Sequence, residues 1–110
     1  MEDLSANIAG VIEKWPSKEE MVSLLEDAGL SLNIGKYSIR IQNCSHFVFQ
    51  EYGGDLGTPC IDADADNSEE MIKDATLVSN ALKKANVGHS FEIYNHEDVL
   101  VSKIEYQENA

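Results

Sequence analysis

Aspartates at alternating positions are the first residues in this sequence that could bind a cation. Aspartate occupies every second position from Asp62 to Asp66, and Asn67 follows, which is how an EF-hand calcium loop begins. Such a loop needs glycine at its sixth position for the turn and a bidentate glutamate at its twelfth. Here the sixth residue is Asn67 and the twelfth is Lys73, whose positive charge would stand where the strongest ligand belongs. The sequence therefore argues against an EF-hand, and we expect no bound metal.

Two other roles for these carboxylates need no metal. Asp62 can end a strand, and Asp66 or Asn67 can cap the helix that follows. Together with Glu69 and Glu70 in the first helical turn, they also concentrate negative charge where lysine and arginine of a partner could bind. The partner-binding surface that we predict consists of Asp62, Asp64, Asp66, Glu69, Glu70, Glu92 and Tyr94.

Cysteine and histidine could supply a nucleophile with its base, or two zinc ligands. Cys44 and His46 are two residues apart on a predicted strand and would share one face. A zinc site would also need Cys60 with His89 or His96 to converge from separate strands, and neither C-x-x-C nor H-x₃₋₅-H spacing is present. We therefore predict no catalytic residue and no metal ligand.

The sequence also lacks a cofactor motif. The glycines within residues 53–57 form no phosphate-binding fingerprint, because no helix begins directly after them and no Lys-Ser or Lys-Thr pair closes a P-loop. We expect a loop there, no cofactor and no enzymatic activity.

Net charge is the most unusual property of this 110-residue chain. Twenty acidic residues against eight basic ones give a formal net charge of −12. This charge disfavours direct binding to nucleic acid or an anionic membrane, because neutralising phosphates requires clustered lysine and arginine. It favours a basic protein as partner. The simpler alternative is that the acidic excess only keeps the protein in solution.

The remaining composition is typical of one soluble domain spanning residues 1–110. Hydrophobic residues make up 43% of the chain, and no apolar run reaches the roughly 18 residues of a transmembrane helix. The acidic start lacks the features of a signal peptide, and a small secreted domain would carry more than two cysteines. We therefore expect a cytoplasmic protein whose Cys44 and Cys60 are reduced, although the two could also pair across neighbouring strands.

Hydrophobic spacing predicts two helices at the start of the chain. Apolar residues recur on one helical face of residues 4–15, and Pro16 ends that segment. Ser17 and Glu20 then form a capping box for a second helix over residues 18–28.

Alternation with period two then predicts strands. A hairpin over residues 36–50 precedes a short strand over residues 60–63, and after a long helix two further strands cover residues 89–95 and 99–106. The predicted fold is α+β, with the order α-α-β-β-β-α-β-β and a mixed, mostly antiparallel five-stranded sheet whose helices lie mainly on one face. The strands at 60–63 and 89–95 would be parallel neighbours joined by a right-handed crossover.

Size, acidity, layout and the absence of a catalytic constellation together resemble the immunity proteins of bacterial contact-dependent inhibition and polymorphic-toxin systems. The resemblance spans the whole chain and carries no diagnostic motif, so no functional residue is transferred. It implies an inhibitor that neutralises a cognate toxin, often a nuclease, by filling its positive cleft. Tight binding would need aromatic anchors, for which we expect Tyr52, Tyr94 and Tyr106.

Two alternatives stay open at this point. A phage-encoded inhibitor of a host nuclease would use the same charge complementarity. A small-molecule-binding domain or small enzyme would instead use an open sheet face, with a pocket lined by Arg40, His46, Glu92 and Tyr94.

Overall fold

The computed structural model describes residues 5–52 and 58–109, so the predicted glycine loop at 53–57 lies outside the described residues. The protein is α+β, and its described strands form one open, antiparallel, seven-stranded sheet. The strands are β1 (Ala6–Ile12), β2 (Leu32–Gly35), β3 (Ser38–Ile41), β4 (His46–Gln50), β5 (Cys60–Ala65), β6 (His89–Tyr94) and β7 (Leu100–Tyr106). The helices are α1 (Lys18–Asp27) and α2 (Ser68–Lys84).

The first segment is a strand, so the helix predicted over residues 4–15 is wrong. Ala6, Ile8 and Ile12 are buried, whereas Asn7 is exposed, which is the period of a strand. Ile8 and Ile12 are four residues apart, and that spacing fits one face of a helix as well as one face of a strand. Six residue pairs with β6 show that the segment is a strand.

Gly10 shows why this strand can occupy the centre of the sheet. A Cβ atom at Gly10 would lie 2.7 Å from Cδ1 of Ile61 and 3.3 Å from Cδ1 of Phe91. Glycine therefore lets these two side chains close over β1 on the buried face, and it is also a poor residue for the helix interior that spacing alone suggested.

The sheet order β2-β3-β4-β5-β1-β6-β7 corrects two further predictions. Both β5 and β6 are antiparallel to β1, so they run in the same direction as each other. They are not hydrogen-bonded neighbours, because β1 lies between them; the arrangement is a split β-α-β unit and the sheet is not mixed. The strand count rises from five to seven because β1 replaces a helix and the short β2 pairs with β3.

The two helices begin as the sequence predicts. Ser17 caps α1, and the capping box with Glu20 is complete. Asn67, and not Asp66, caps α2: its side-chain oxygen accepts a 2.8 Å hydrogen bond from the amide of Glu70. Neither helix of the described chain has the length and apolar character required to cross a bilayer.

The core lies between the helices and one face of the sheet. Phe47 contacts Phe49 and Phe91 edge to face, with ring centroids 5.6 and 5.9 Å apart, and such pairs add about 0.5–1.5 kcal/mol to the burial itself. Trp15 packs against this core beside Phe49 and Tyr52. Trp15 follows β1, is partly buried, and anchors the segment after this strand to the core.

Alternation along the strands leaves the second sheet face, which we call the open face, without a covering helix among the described residues. Its side chains come from alternate strand positions and most are partly or fully exposed, whereas Val48 is buried. Among them are Asn7, Arg40, His46, Val48, Gln50, Asp62, Asp64, Glu92, Tyr94, Lys103 and Glu105.

Candidate functional site

Three side chains with metal-ligating atoms meet on the open face where β4 pairs with β5. His46 lies directly opposite Asp64 in the antiparallel register, and Asp62 is two residues before Asp64, on the same face. Nε2 of His46 is 3.2 Å from Oδ2 of Asp62. One ligating atom from each of the three side chains lies within 4.8 Å of the other two. We call these three residues the His–Asp cluster.

Of the two carboxylates in this cluster, that of Asp62 accepts a hydrogen bond from a neighbouring side chain and that of Asp64 does not. Nε2 of Gln50 donates a 3.3 Å hydrogen bond to Oδ2 of Asp62, the oxygen that also contacts His46. The Asp64 side chain makes no hydrogen bond or ion pair with any described residue. No described lysine or arginine lies within ion-pair distance of either aspartate. Two adjacent negative charges are therefore balanced by one imidazole at most.

A shallow cleft of about 630 Å³ opens beside the cluster, between β1 and β5. The two strands are paired at Ala6–Ala65 and at Asn7–Asp64. The cleft is lined by both strands, including Asn7, Asp62 and Asp64. It gives solvent and small ligands access to the cluster from the side of β1.

Asp64 and Tyr94, both predicted to bind the partner, are aligned across the sheet. Asn7 is the cross-strand partner of each of them, so two strand spacings, about 10 Å, separate Asp64 from Tyr94. Glu92 is on the same face of β6, and its carboxylate accepts a 3.4 Å hydrogen bond from the Tyr94 hydroxyl. Asp62, Asp64, Glu92 and Tyr94 thus belong to one surface.

The remaining predicted residues lie where β5 leads into α2. Asp66 is exposed, and Glu70 accepts a 3.0 Å hydrogen bond from the hydroxyl of Ser45. Glu69 lines a depression together with Asn95 and His96, so the start of α2 adjoins the turn between β6 and β7.

That turn adds two carboxylates that the sequence reasoning missed, Glu97 and Asp98. Nothing in the local sequence connects them to the aspartates of β5; only the shared direction of β5 and β6 brings the ends of these strands together. We call the resulting surface the acidic end. It comprises Asp64, Asp66, Glu69, Glu70, Glu97 and Asp98.

Cations gather at the opposite end of the sheet. Lys83 and Lys84 close α2, and Lys14 follows β1, whose last residue pairs with the first residue of β6. Two carboxylates towards that end pair with lysines, Glu108 with Lys14 at 3.6 Å and Glu105 with Lys103 at 3.9 Å. At the acidic end, in contrast, no described carboxylate pairs with lysine or arginine within 4 Å, although Lys73 is nearby.

Exposed apolar residues border the acidic end. Val99, Leu100 and Val101 follow the β6–β7 turn and are 52%, 48% and 41% exposed, and Leu100 is the cross-strand partner of Tyr94. The other predicted anchors do not fit this surface. Tyr52 is buried, with its hydroxyl donating to the Pro16 carbonyl, and Tyr106 pairs with the first residue of β6, at the far end.

The cysteines do not form the pairs that the sequence allowed. Cys44 precedes β4 in a turn, and its sulfur lies 4.0 Å from the backbone oxygen of Asp74, so it faces α2 and not His46. Burial, together with the Asp74 charge, raises the pKa of the Cys44 thiol to about 12, which leaves it protonated and a poor nucleophile. Cys60 is an exposed free thiol at the start of β5, so the alternative disulfide is absent.

A hydroxyl–imidazole pair does occur, but inside the core. Nε2 of His89 is 2.7 Å from Oγ of Ser79, and Nδ1 donates to the carbonyl of Val87 at 2.8 Å. Both side chains are about 1% exposed. No substrate can reach them, so their role is to satisfy each other's hydrogen bonds.

Of the four residues expected to line a small-molecule pocket, Arg40 and His46 line one shallow pocket of about 310 Å³ on the open face, and Glu92 and Tyr94 are not part of it. His46 on β4 and Tyr94 on β6 are separated by β5 and β1, a distance of three strand spacings or about 14 Å. Arg40 lies one strand further out, on β3. These side chains therefore cannot line one pocket with Glu92.

No protein-family model matches the chain, and neither a curated protein nor a solved structure matches it. The function must be inferred from the arrangement of its own residues.

Proposed function

We propose that the protein binds a cationic protein partner through its acidic end and so inhibits it. The observation that carries this proposal is the clustering of carboxylates: those from three separate segments meet at one end, and none of the described ones pairs with a lysine or arginine. Unpaired carboxylates retain their field in solution, and that field is available to a partner.

This arrangement first affects how the protein is oriented towards its partner before the two make contact. A molecule of net charge −12 whose unpaired carboxylates are concentrated at one end turns that end towards a cationic surface while the two are still apart. Complementary fields of this kind raise association rates by roughly ten to a thousand fold.

Affinity requires more than charge, because exposed ion pairs contribute only about 0–1 kcal/mol each. The apolar residues beside the acidic end supply what the carboxylates cannot. Leu100 and Tyr94 form a cross-strand pair, and with Val101 they can bury apolar surface at the centre of an interface whose rim is acidic. The acidic end thus combines the two components of a specific binding surface.

The partner class that best suits this surface is a protein that binds nucleic acid, since such a protein exposes a positive cleft for phosphates. We therefore favour an inhibitor of a toxic nuclease, acting as an immunity protein does. An inhibitor encoded by a phage against a host nuclease would use the same surface, and the genes adjacent to this one distinguish the two.

Co-expression with the products of the neighbouring genes tests the proposal. A toxin among them should stop growth, and this protein should restore growth. The triple variant D66K/E69K/E97K should lose this protection, because it reverses charge at the acidic end. The matched control E19K/E26K/D27K makes the same charge change on α1, which packs beside β2 at the far edge of the sheet, and should protect as the original protein does.

Binding kinetics of the purified pair give the second readout. The association rate should fall steeply between about 50 and 500 mM salt, over which the Debye length shortens several fold, while the dissociation rate changes less. Equal loss of protection in both triple variants, or an association rate that does not respond to salt, would exclude the acidic end as the binding surface.

A further inference from the structure

We propose that the His–Asp cluster, formed by His46, Asp62 and Asp64, is a binding site for a divalent transition-metal ion with the preferences of zinc. This site shares Asp64 with the acidic end, but its occupancy does not depend on any partner.

Geometry is the first support. Zinc binds histidine nitrogen and carboxylate oxygen at about 2.0–2.2 Å, which places the ligating atoms of a tetrahedral ion roughly 3.4 Å apart. The nitrogen of His46 is already 3.2 Å from an oxygen of Asp62, and all three ligating atoms lie within 4.8 Å of one another. Only small side-chain rotations separate this arrangement from a coordinating one.

The backbone that holds these side chains is fixed from both sides. Five registered pairs join β4 to β5, and β4 is in turn paired with β3. Because His46 and Asp64 are opposite each other in this register, their separation is set by the sheet and not by a loop. Gln50 in addition orients Asp62 through its hydrogen bond, as outer-shell partners orient ligands in metal sites.

The donor set decides which ions fit. An imidazole nitrogen with two carboxylates suits zinc, manganese or iron, whereas calcium and magnesium prefer sites made of oxygen alone. Two carboxylates without a lysine or arginine partner also favour a dication electrostatically. Mixed ligation is therefore what separates this cluster from an ordinary group of exposed acids.

Access completes the site. The His46 and Asp62 side chains are 27% and 51% exposed, and the cleft between β1 and β5 reaches Asp62 and Asp64 from the side. Three protein ligands leave a fourth position for water or another donor. Asn7, opposite Asp64 on β1, is close enough to contact a molecule bound there.

Zinc titration of the chelator-treated full-length chain tests the site, with calorimetry for stoichiometry and affinity. We expect one zinc ion per chain and a rise in Tm on addition of zinc. H46Q and D64N should each weaken binding about tenfold or more, since loss of a ligand costs at least as much as loss of an outer-shell partner.

Two controls separate a site from general attraction to negative charge. H96Q removes an exposed histidine that is also beside a carboxylate, and E105Q removes a carboxylate from the same sheet face; both should bind zinc within about twofold of the original protein. Circular dichroism of the variants before titration verifies folding. The proposal is overturned if H46Q and D64N bind zinc as H96Q does, or if magnesium at the same concentration raises Tm equally.

Discussion

The hydroxyl of Ser79 and Nε2 of His89 lie 2.7 Å apart in the core. Because Nδ1 of His89 donates to a backbone carbonyl, Nε2 carries the lone pair that accepts the Ser79 proton. The folded protein therefore contains His89 in its neutral form. Protonation of Nε2 would remove the acceptor of the Ser79 hydrogen bond.

Stability should consequently fall on mild acidification. Burial lowers the pKa of His89 in the folded protein, whereas in the unfolded chain it titrates near its ordinary value of about 6.5. The unfolded state then binds more protons, so the contribution of His89 is complete above about pH 6.5 and is lost as the pH falls towards the lowered folded pKa. Urea unfolding at pH 7.5 and pH 5.5 measures this, and an H89F variant should show a smaller difference between the two; an unchanged difference would contradict the assignment.

Gly10 and Ile61 should be energetically coupled. A valine at position 10 would press on Cδ1 of Ile61 and on the buried ring of Phe91, and overpacking of this kind costs about 1–3 kcal/mol. Shortening Ile61 to alanine in the same chain makes room, so the double variant should be less destabilised than the sum of G10V and I61A. Additive losses in a double-mutant cycle would show that Gly10 is needed for another reason.

Replacing Asn67 by alanine should destabilise the protein more than replacing Asp66 by alanine. Asn67 caps α2 and accepts a hydrogen bond from the Glu70 amide, so N67A should lower the free energy of unfolding by about 1 kcal/mol. Asp66 is exposed and does not cap the helix, and D66A should change stability by about 0.5 kcal/mol or less. Chemical denaturation of both variants distinguishes the cap from its neighbour.

The two thiols should differ in reactivity. Cys60 is exposed, whereas burial and the Asp74 carboxylate raise the pKa of Cys44 to about 12, and the thiolate is the reacting species. A maleimide at pH 7.5 should therefore label one site rapidly in the folded protein and both sites in urea. C60S should abolish the rapid phase and C44S should preserve it; rapid labelling of C60S would show that Cys44 is accessible.

Local signals in the sequence identified most elements after residue 17. The capping box at Ser17 and Glu20 and the alternation around Phe47 and Phe49 depend on near neighbours, and the structure confirms the helix and the hairpin that they predict. The helix predicted around Ile8 is wrong because no local signal decides the structure of this segment. Its apolar spacing fits both kinds of element, and only pairing with β6, some eighty residues later in the chain, decides between them.

Local sequence also fails to predict which residues meet in the candidate sites. The sequence suggests that His46 acts with Cys44, two residues away, but the turn before β4 directs Cys44 to α2 and leaves His46 opposite Asp64. Glu97 reaches the acidic end because β5 and β6 finish at the same edge. Register and strand order, neither of which is local, determine both groupings.

The position of β1 also constrains the order in which the chain can fold. β1 is enclosed by β5 and β6, which follow it at a long distance in the sequence: Asn7 is paired with Asp64 on one side and with Tyr94 on the other. During synthesis, one edge of β1 waits for β5 and the other for β6, and contacts so distant in sequence slow folding. Nascent chains should therefore expose an unpaired apolar strand until β5 has been made and a half-paired one until β6 has been made, and this is the interval in which chaperones would be needed.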